Sequence, residues 1–228
     1  PEYALALLSA IEADQVPRTD LHAYHVRQLL RFDNDVLKKR IEEVWGEIRE
    51  SSQDKKKEIA RYKTLLELQD MGKANASNGR RLFAKTCASC HKLFGEGGNV
   101  GPDITGSNRA NLDYVLENIV DPSAVLGKDY RMWLIATDSG QVISGLIQKE
   151  TDSALTVRTI NDTVVVPKSE IEEQKLSDIS IMPERQLDQL KPEEIRDLVA
   201  YLGSPTQVTL RGPDAPIDIG IDVLPDVI

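Results

Sequence analysis

In residues 1–74 the apolar positions recur at helical spacing, in short runs separated by breaks. Ala4 to Ala13 is apolar-rich and stops before Val16-Pro17. Asp20 stands where a cap would open the next run, in which Leu21, Tyr24, Val26, Leu29 and Leu30 recur on one face. Asp33-Asn34 interrupts. Val36, Leu37, Ile41, Val44 and Trp45 then form a new stripe, closed by Gly46 or by Ser51-Ser52. A charged helix from Lys55 to Leu68 follows, with Ile59, Tyr62, Leu65 and Leu66 on one side. Short helices joined by short turns predict a helical-pair or repeat-like packing unit, although no fixed period is visible. Residues 71–77 read as a linker.

The pattern then changes twice. Ser77 or Asn78 is the expected cap of a helix that carries Gly79, Leu82 and Phe83 and runs into Cys87. A Gly-rich irregular stretch covers residues 94–106. Asn111 to Val120 is again helical, with Leu112, Val115, Leu116 and Ile119 inward, and Asp121-Pro122-Ser123 stops it. From 130 to 167 the chain is rich in β-branched and aromatic residues. Strands are expected at Tyr130 to Thr137, Val142 to Gln148, Leu155 to Thr159 and Thr163 to Val166. Turns fall at Asp138-Ser139-Gly140 and Asn161-Asp162, which makes a small antiparallel β unit. Helix returns at Pro192, with Ile195, Leu198, Val199 and Leu202 as its stripe and Gly203 and Pro205 at its end. The expected division is a helical domain over 1–74, a second domain over 75–204 with the β unit inserted at 129–170, and an extended tail over 205–228. The fold class is mainly α.

A chain of 228 residues with 40% hydrophobic and 29% charged residues is of ordinary globular make-up. No apolar run reaches the roughly 18 residues of a membrane span. The chain opens at Pro1 without a methionine, so it reads as a processed product or a fragment, and the missing secretion signal says little about location. A net charge of −9 argues against nucleic acid as a partner. Residues 130–228 carry nearly all of the excess, 9 Lys+Arg against 17 Asp+Glu. An acidic face there could steer a basic partner, and a merely soluble surface accounts for it equally well.

Both cysteines of the chain lie in Cys87-Ala88-Ser89-Cys90-His91. A thioredoxin-type dithiol wants a strand before the motif; here a helix precedes it and a Gly-rich loop follows. A zinc site needs four ligands, and the other histidines, His22 and His25, lie far upstream without cysteines. A disulfide would not call for His91. Covalent haem c explains all three residues: each sulfur takes one vinyl group on the same porphyrin edge, and the adjacent imidazole reaches the iron. The backbone of residues 94–106 lacks the lysine and spacing of a phosphate loop and is expected to wrap the porphyrin edge.

Haem c iron usually takes a methionine or histidine on the far side. The candidates are Met71, Met132, Met182, His22 and His25. Met132 falls in a strand beside Trp133, where core packing is the default. Met182 stands in Ile181-Met182-Pro183, a turn whose proline restricts it, so its thioether can be held at a fixed point. Met182 is therefore the first choice, one of the two histidines the second, and an open position the third.

Gly79-x-x-x-Phe83 ahead of the motif, Gly101-Pro102-Asp103-Ile104-Thr105 after it, and a closing helix Ile195-Arg-Asp-Leu-Val-Ala-Tyr-Leu202 resemble class I cytochromes c. Over about Leu21 to Pro205 the chain more specifically resembles the haem-binding domain of planctomycete–verrucomicrobial type. Arg27-Gln-Leu-Leu-Arg-Phe-Asp-Asn34, Asp121-Pro-Ser123, Lys128-Asp-Tyr130 and Ser180-Ile-Met-Pro-Glu184 carry that likeness. The resemblance implies a class I cytochrome c fold with a small antiparallel β insertion between its third helix and its methionine loop, after an α-helical repeat-like region. It implies one covalent haem c and its iron, thioethers at Cys87 and Cys90, His91 as proximal ligand, Met182 as distal ligand, and Pro102 packed near His91 with a neighbouring carbonyl orienting the ring. Where that family commonly has Glu-Gly-Leu after Met-Pro, this chain has Glu184-Arg185-Gln186. Such domains often end larger secreted proteins that carry a propeller resembling sugar dehydrogenases.

The expected function is electron transfer, with electrons from a redox partner protein or a fused dehydrogenase domain, in a periplasmic or otherwise extracytoplasmic compartment. A haem-based ligand sensor or enzyme with an exchangeable site is one alternative; a docking module with secondary haem is another. No nucleophile–base pair or paired carboxylates stand out, so no catalytic residue is assigned.

Overall fold

The computed structural model describes residues 1–211. Its first helices are α1 (Glu2–Glu12), α2 (Ala23–Leu30) and α3 (Asp35–Val44). Their apolar stripes close on one another: Leu8, Val26, Leu37, Ile41 and Trp45 are buried together. Asn34 starts α3 by accepting the Leu37 N–H, worth about 1 kcal/mol. Asp20, the expected cap of α2, instead ends a short 3-10 turn, and His22 stands at the N-cap. The Trp45 indole N–H donates to the Leu21 carbonyl and ties the end of α3 to the start of α2. Strand β1 (Gly46–Ile48) leads out of this cluster.

Helix α4 (Gln53–Glu67) is capped by Ser52 and sends Tyr62 and Leu66 into a different core. That core belongs to the rest of the chain: α5 (Ala76–Thr86), the hairpin β2 (Lys92–Leu93) and β3 (Glu96–Gly97), α6 (Leu112–Val120) and, near the end, α7 (Pro192–Leu202), whereas strand β4 (Val125–Gly127) places Val125 against the first core. Phe83, Leu93, Leu116, Leu187, Ile195, Leu198 and Tyr201 fill the centre. The α4 stripe thus packs with elements downstream of residue 74, and the apolar grouping changes between β1 and α4 rather than at the 71–77 stretch. Helix α5 starts two to three residues earlier than expected, because Asn75 rather than Ser77 or Asn78 accepts the capping N–H.

Helices α5 and α7 cross in backbone contact. A Cβ on Gly79 would sit 2.0 Å from the Asp197 carbonyl oxygen, so only glycine permits this approach. Asp197 is 5% exposed at the crossing. Its carboxylate accepts from the Asn75 N–H (2.9 Å), the Asn78 amide (2.9 Å) and the Arg196 guanidinium (3.0 Å). Burial pushes its pKa up, but these three bonds outweigh it and hold the carboxyl below its ordinary value. The folded carboxyl thus binds protons less readily than the unfolded one. Asp197 contributes stability above about pH 4, and the contribution disappears as pH falls through the lower folded pKa. Asp197→Asn is expected to flatten the acid limb of the stability curve, read by denaturant unfolding at a series of pH values; a wild-type slope below about pH 4 would exclude this role.

Between α6 and α7 lies a five-stranded antiparallel sheet of β5 (Arg131–Thr137), β6 (Val142–Glu150), β7 (Ala154–Arg158), β8 (Thr163–Pro167) and β9 (Ile171–Ser180). The strand order is β8-β7-β6-β5-β9, around a core of Ile135, Leu155, Val157 and Val166. Four strands fall where expected. β9 does not, and it carries the sheet past residue 170 to Ser180. It is an edge strand with Glu172, Glu173 and Lys175 exposed, so it has the charge that protects edges and lacks an apolar alternation. Its pairing with β5 joins Arg131 to Ser180, so the sheet leaves and rejoins the helical part at one place.

β1 pairs antiparallel with β4 and links the first helices to the end of α6. Two ion pairs flank that seam: Arg49 with Asp121 (2.7 Å) and Arg18 with Asp129 (2.6 Å). Of the expected tail, Val208 packs against the main core and the Arg211 N–H donates to Ser77 Oγ at 2.7 Å. Residues 212–228 lie outside the described residues.

Candidate functional site

Helix α5 delivers the motif. Cys87 is its C-cap, and the turn continues past the helix end: the Cys90 and His91 N–H groups donate to the Cys87 carbonyl at 3.1 and 2.9 Å. This winding puts both thiols on one short turn, and both are free. They face different surroundings. Cys87 packs against the main core. Cys90 packs against a small cluster of Val100, Leu146 and Ile181, together with Tyr130. Burial pushes the Cys87 thiol pKa up, against a weaker lowering by the Thr86 hydroxyl 3.2 Å away.

The Gly-rich stretch closes on the motif itself rather than forming only a free edge for a porphyrin. The Gly98 N–H donates to the Ala88 carbonyl (2.7 Å) and the Gly101 N–H to the Cys90 carbonyl (2.9 Å). Glycines are needed for this close approach: a Cβ on Gly98 would lie 2.2 Å from the Ser89 carbonyl oxygen. A Cβ on Gly101 would lie 2.7 Å from Cε1 and 2.9 Å from Nδ1 of His91. The His91 ring therefore rests flat against backbone that has no side chain.

His91 Nδ1 lies 3.0 Å from the Pro102 carbonyl oxygen. A carbonyl only accepts, so Nδ1 carries the proton and Nε2 keeps its lone pair. The orienting carbonyl is Pro102's own. Burial lowers the His91 pKa, and the bond to Pro102 opposes it more weakly. The ring is thus neutral near pH 7, the state in which imidazole binds metal. Two free thiols on one turn, a neutral imidazole with a free Nε2, and a cradle that a Cβ would fill fit a covalently attached haem.

The five candidates for the far side are dispersed. Met71 is 46% exposed, on an open groove of about 420 Å³ lined also by Leu66, Leu112 and Val199 and by no residue of the motif. Met132 is in β5. His22 and His25 sit at the start of α2, where His25 Nδ1 accepts the His22 N–H at 3.3 Å. Burial lowers the His22 pKa first, His25 adds to that, and Asp20 and Asp103 oppose it. Met182 follows Ile181, which shares the small cluster with Cys90 and Val100. The Met182 N–H donates to Ser180 Oγ at 3.1 Å. Arg185, in the place where the resembled family commonly has glycine, adopts φ +63°. That left-handed backbone costs a non-glycine residue about 1 kcal/mol. Arg185 Nε donates to Asp188 at 2.7 Å, and Tyr62 on α4 also donates to Asp188.

The sequence had marked Cys87, Cys90, His91, Pro102 and Met182. It had not marked Gly101 as the bed of the His91 ring, nor the Val100–Ile181 contact. An apolar residue before each of two special turns was the only signal for that contact.

Residues 74–130 match the family model described as cytochrome C oxidase, cbb3-type, subunit III. The match begins just before α5 and ends at the entrance to the sheet. No curated protein matches the chain. These residues are thus a c-type cytochrome haem-binding domain, whose cofactor is covalently bound haem c with its iron and whose general role is haem-based electron transfer with redox partners. Among the described residues no helix is long and apolar enough to cross a membrane.

Proposed function

We propose that the chain is a mono-haem electron carrier of the planctomycete–verrucomicrobial type, working outside the cytoplasm, periplasmic or otherwise extracytoplasmic. Its partner is a redox protein or a dehydrogenase domain of a longer chain. The observation that carries the reading is His91: beside two free thiols, bedded on Gly101, with Nδ1 committed to Pro102 and Nε2 free. In this reading Cys87 and Cys90 form the thioethers, His91 is the proximal ligand, Met182 the distal one, and Pro102 holds the imidazole orientation. When bound, the haem supplies a one-electron ferric/ferrous couple.

The chain's own residues do the rest. Pro102 fixes the tautomer and the ring plane of His91, so that the ligand does not reorient when the charge on the metal changes. Leu93, Val100 and Leu187, each at most 2% exposed, exclude water around the motif. Met182 is favoured over the histidines because the residue before it, Ile181, packs in the same cluster as Cys90, whereas His22 and His25 stand at the start of α2; it is favoured over Met71 because no motif residue lines the groove on which that side chain lies.

Met182→Ala tests the assignment. The expected result is loss of the thioether–iron band from the oxidised spectrum and a lower reduction potential, since a thioether favours ferrous iron. An oxidised spectrum identical to wild type would remove Met182 as ligand.

A further inference from the structure

We propose that Ser180 is a positioning residue for the distal methionine, held in turn by Ser123, and that the first helices of the chain reach the iron through this pair. The inference rests on Met182 as the distal ligand. Met182 N–H donates to Ser180 Oγ, and Ser180 N–H donates to Ser123 Oγ, each at 3.1 Å. Both serines are buried, at 7% and 6% exposure. The second bond joins residues 57 apart in the chain, so it ties the methionine loop to the segment after α6.

That segment is itself fixed from the N-terminal side. Asp121, Pro122, Ser123 and Ala124 are all buried. Arg49 binds the Asp121 carboxylate through two nitrogens, at 3.0 and 2.7 Å, and its own N–H donates to the Ala124 carbonyl at 2.8 Å. β1 then pairs with β4 immediately beyond. A continuous path therefore runs from Arg49 through the 121–124 turn to Ser123, Ser180 and the Met182 backbone.

A methionine side chain has three rotatable bonds and does not hold itself at a point. Its reach to iron is set by where its backbone is anchored. The loop is also held before Met182 by the Ile181 N–H on the Tyr130 carbonyl (3.3 Å) and after it by the Lys55–Glu184 pair (2.8 Å), in which Glu184 is 46% exposed. Exposed pairs contribute little, whereas a buried hydroxyl whose partner is removed leaves an N–H unsatisfied. The serines, not the ion pair, carry the positioning.

The test uses purified holoprotein: wild type, Ser180→Ala, Ser180→Thr, Ser177→Ala and Met182→Ala. The readouts are the thioether–iron band of the oxidised protein and the rate of carbon monoxide binding to the reduced protein. Ser180→Ala is expected to weaken the band and to bind carbon monoxide about fivefold faster, the factor that corresponds to one typical hydrogen bond. Ser180→Thr, which keeps the hydroxyl, should restore both. Ser177 Oγ accepts the Ile179 N–H on the same strand but does not touch residue 182, so Ser177→Ala should leave both unchanged. Wild-type binding by Ser180→Ala overturns the proposal, as does an equal effect of Ser177→Ala, which would mark general loosening of β9. Should Ser180→Ala yield no holoprotein, Ser123→Ala removes only the outer bond, and wild-type behaviour there overturns the proposal. A retained band in Met182→Ala overturns the ligand assignment itself, and loss of the band there with no effect of the serines overturns only the positioning.

Discussion

Gly101→Ala is expected to cut the yield of holoprotein by about tenfold or more, with the surviving fraction showing a disturbed iron ligation. The added Cβ would meet three atoms of the His91 ring, at 2.7, 2.9 and 3.1 Å. The ring cannot step aside without breaking its 3.0 Å bond to Pro102, and Gly101 cannot retreat without breaking its own bond to the Cys90 carbonyl. Overpacking of this kind costs about 1–3 kcal/mol, which is roughly one to two orders of magnitude in the population of the competent geometry. Haem content per protein, measured by absorbance, checks the result. Gly106→Ala is the control, because a Cβ there meets nothing within 4 Å. Equal haem content in the two variants would show that the bed under His91 is not restrictive.

Arg49→Met has the second largest expected effect, a loss of about 2–3 kcal/mol of stability. The Asp121 side chain is fully buried, whereas 41% of the Arg49 side chain is exposed. Removing the guanidinium leaves a carboxylate without its partner, which costs about 3–5 kcal/mol in a fully buried pair. Solvent at Arg49 screens the interaction and lowers that figure. Adding Asp121→Leu to Arg49→Met should recover most of the loss, because the penalty belongs to the stranded charge and not to the missing attraction. Denaturant unfolding followed by fluorescence reads both ends of the seam, with Trp45 in the first core and Trp133 in the sheet. Equal stability of wild type and Arg49→Met would mean that water reaches Asp121.

What was legible in the chain follows the range of the physics. Thioether attachment needs two thiols and an imidazole within five residues, so the motif is written locally. The stripes of α3, α4 and α7 were legible for the same reason: a helix face is a property of neighbouring residues. Which core a stripe fills is not. Tyr62 and Leu66 read as apolar helix positions in either case, and only the fold assigns them to Leu116 and Tyr201 rather than to Leu8 and Trp45. β9 escaped because an edge strand with Glu172, Glu173 and Lys175 mimics a polar loop. Ser123 and Ser180 escaped because a buried hydroxyl is recognisable only from a partner far along the chain. Gly101 sat in a run of glycines, and nothing in such a run says which one lies under a ring.

The pairing of Arg131 with Ser180, and the Ile181 N–H on the Tyr130 carbonyl, bring the entrance and the exit of the sheet to a single point. Seen from His91 and Met182, residues 131–180 are a closed excursion: the chain departs and returns with almost no net displacement. Strands away from β6, whose Leu146 packs with Cys90, can therefore lengthen, shorten or change their outer surface without altering the span between His91 and Met182. That separates two kinds of variation in one polypeptide. The packing around the motif is bound to the dimensions of a porphyrin, while the exposed charged edge of the sheet at Glu172, Glu173 and Lys175 is under no such constraint.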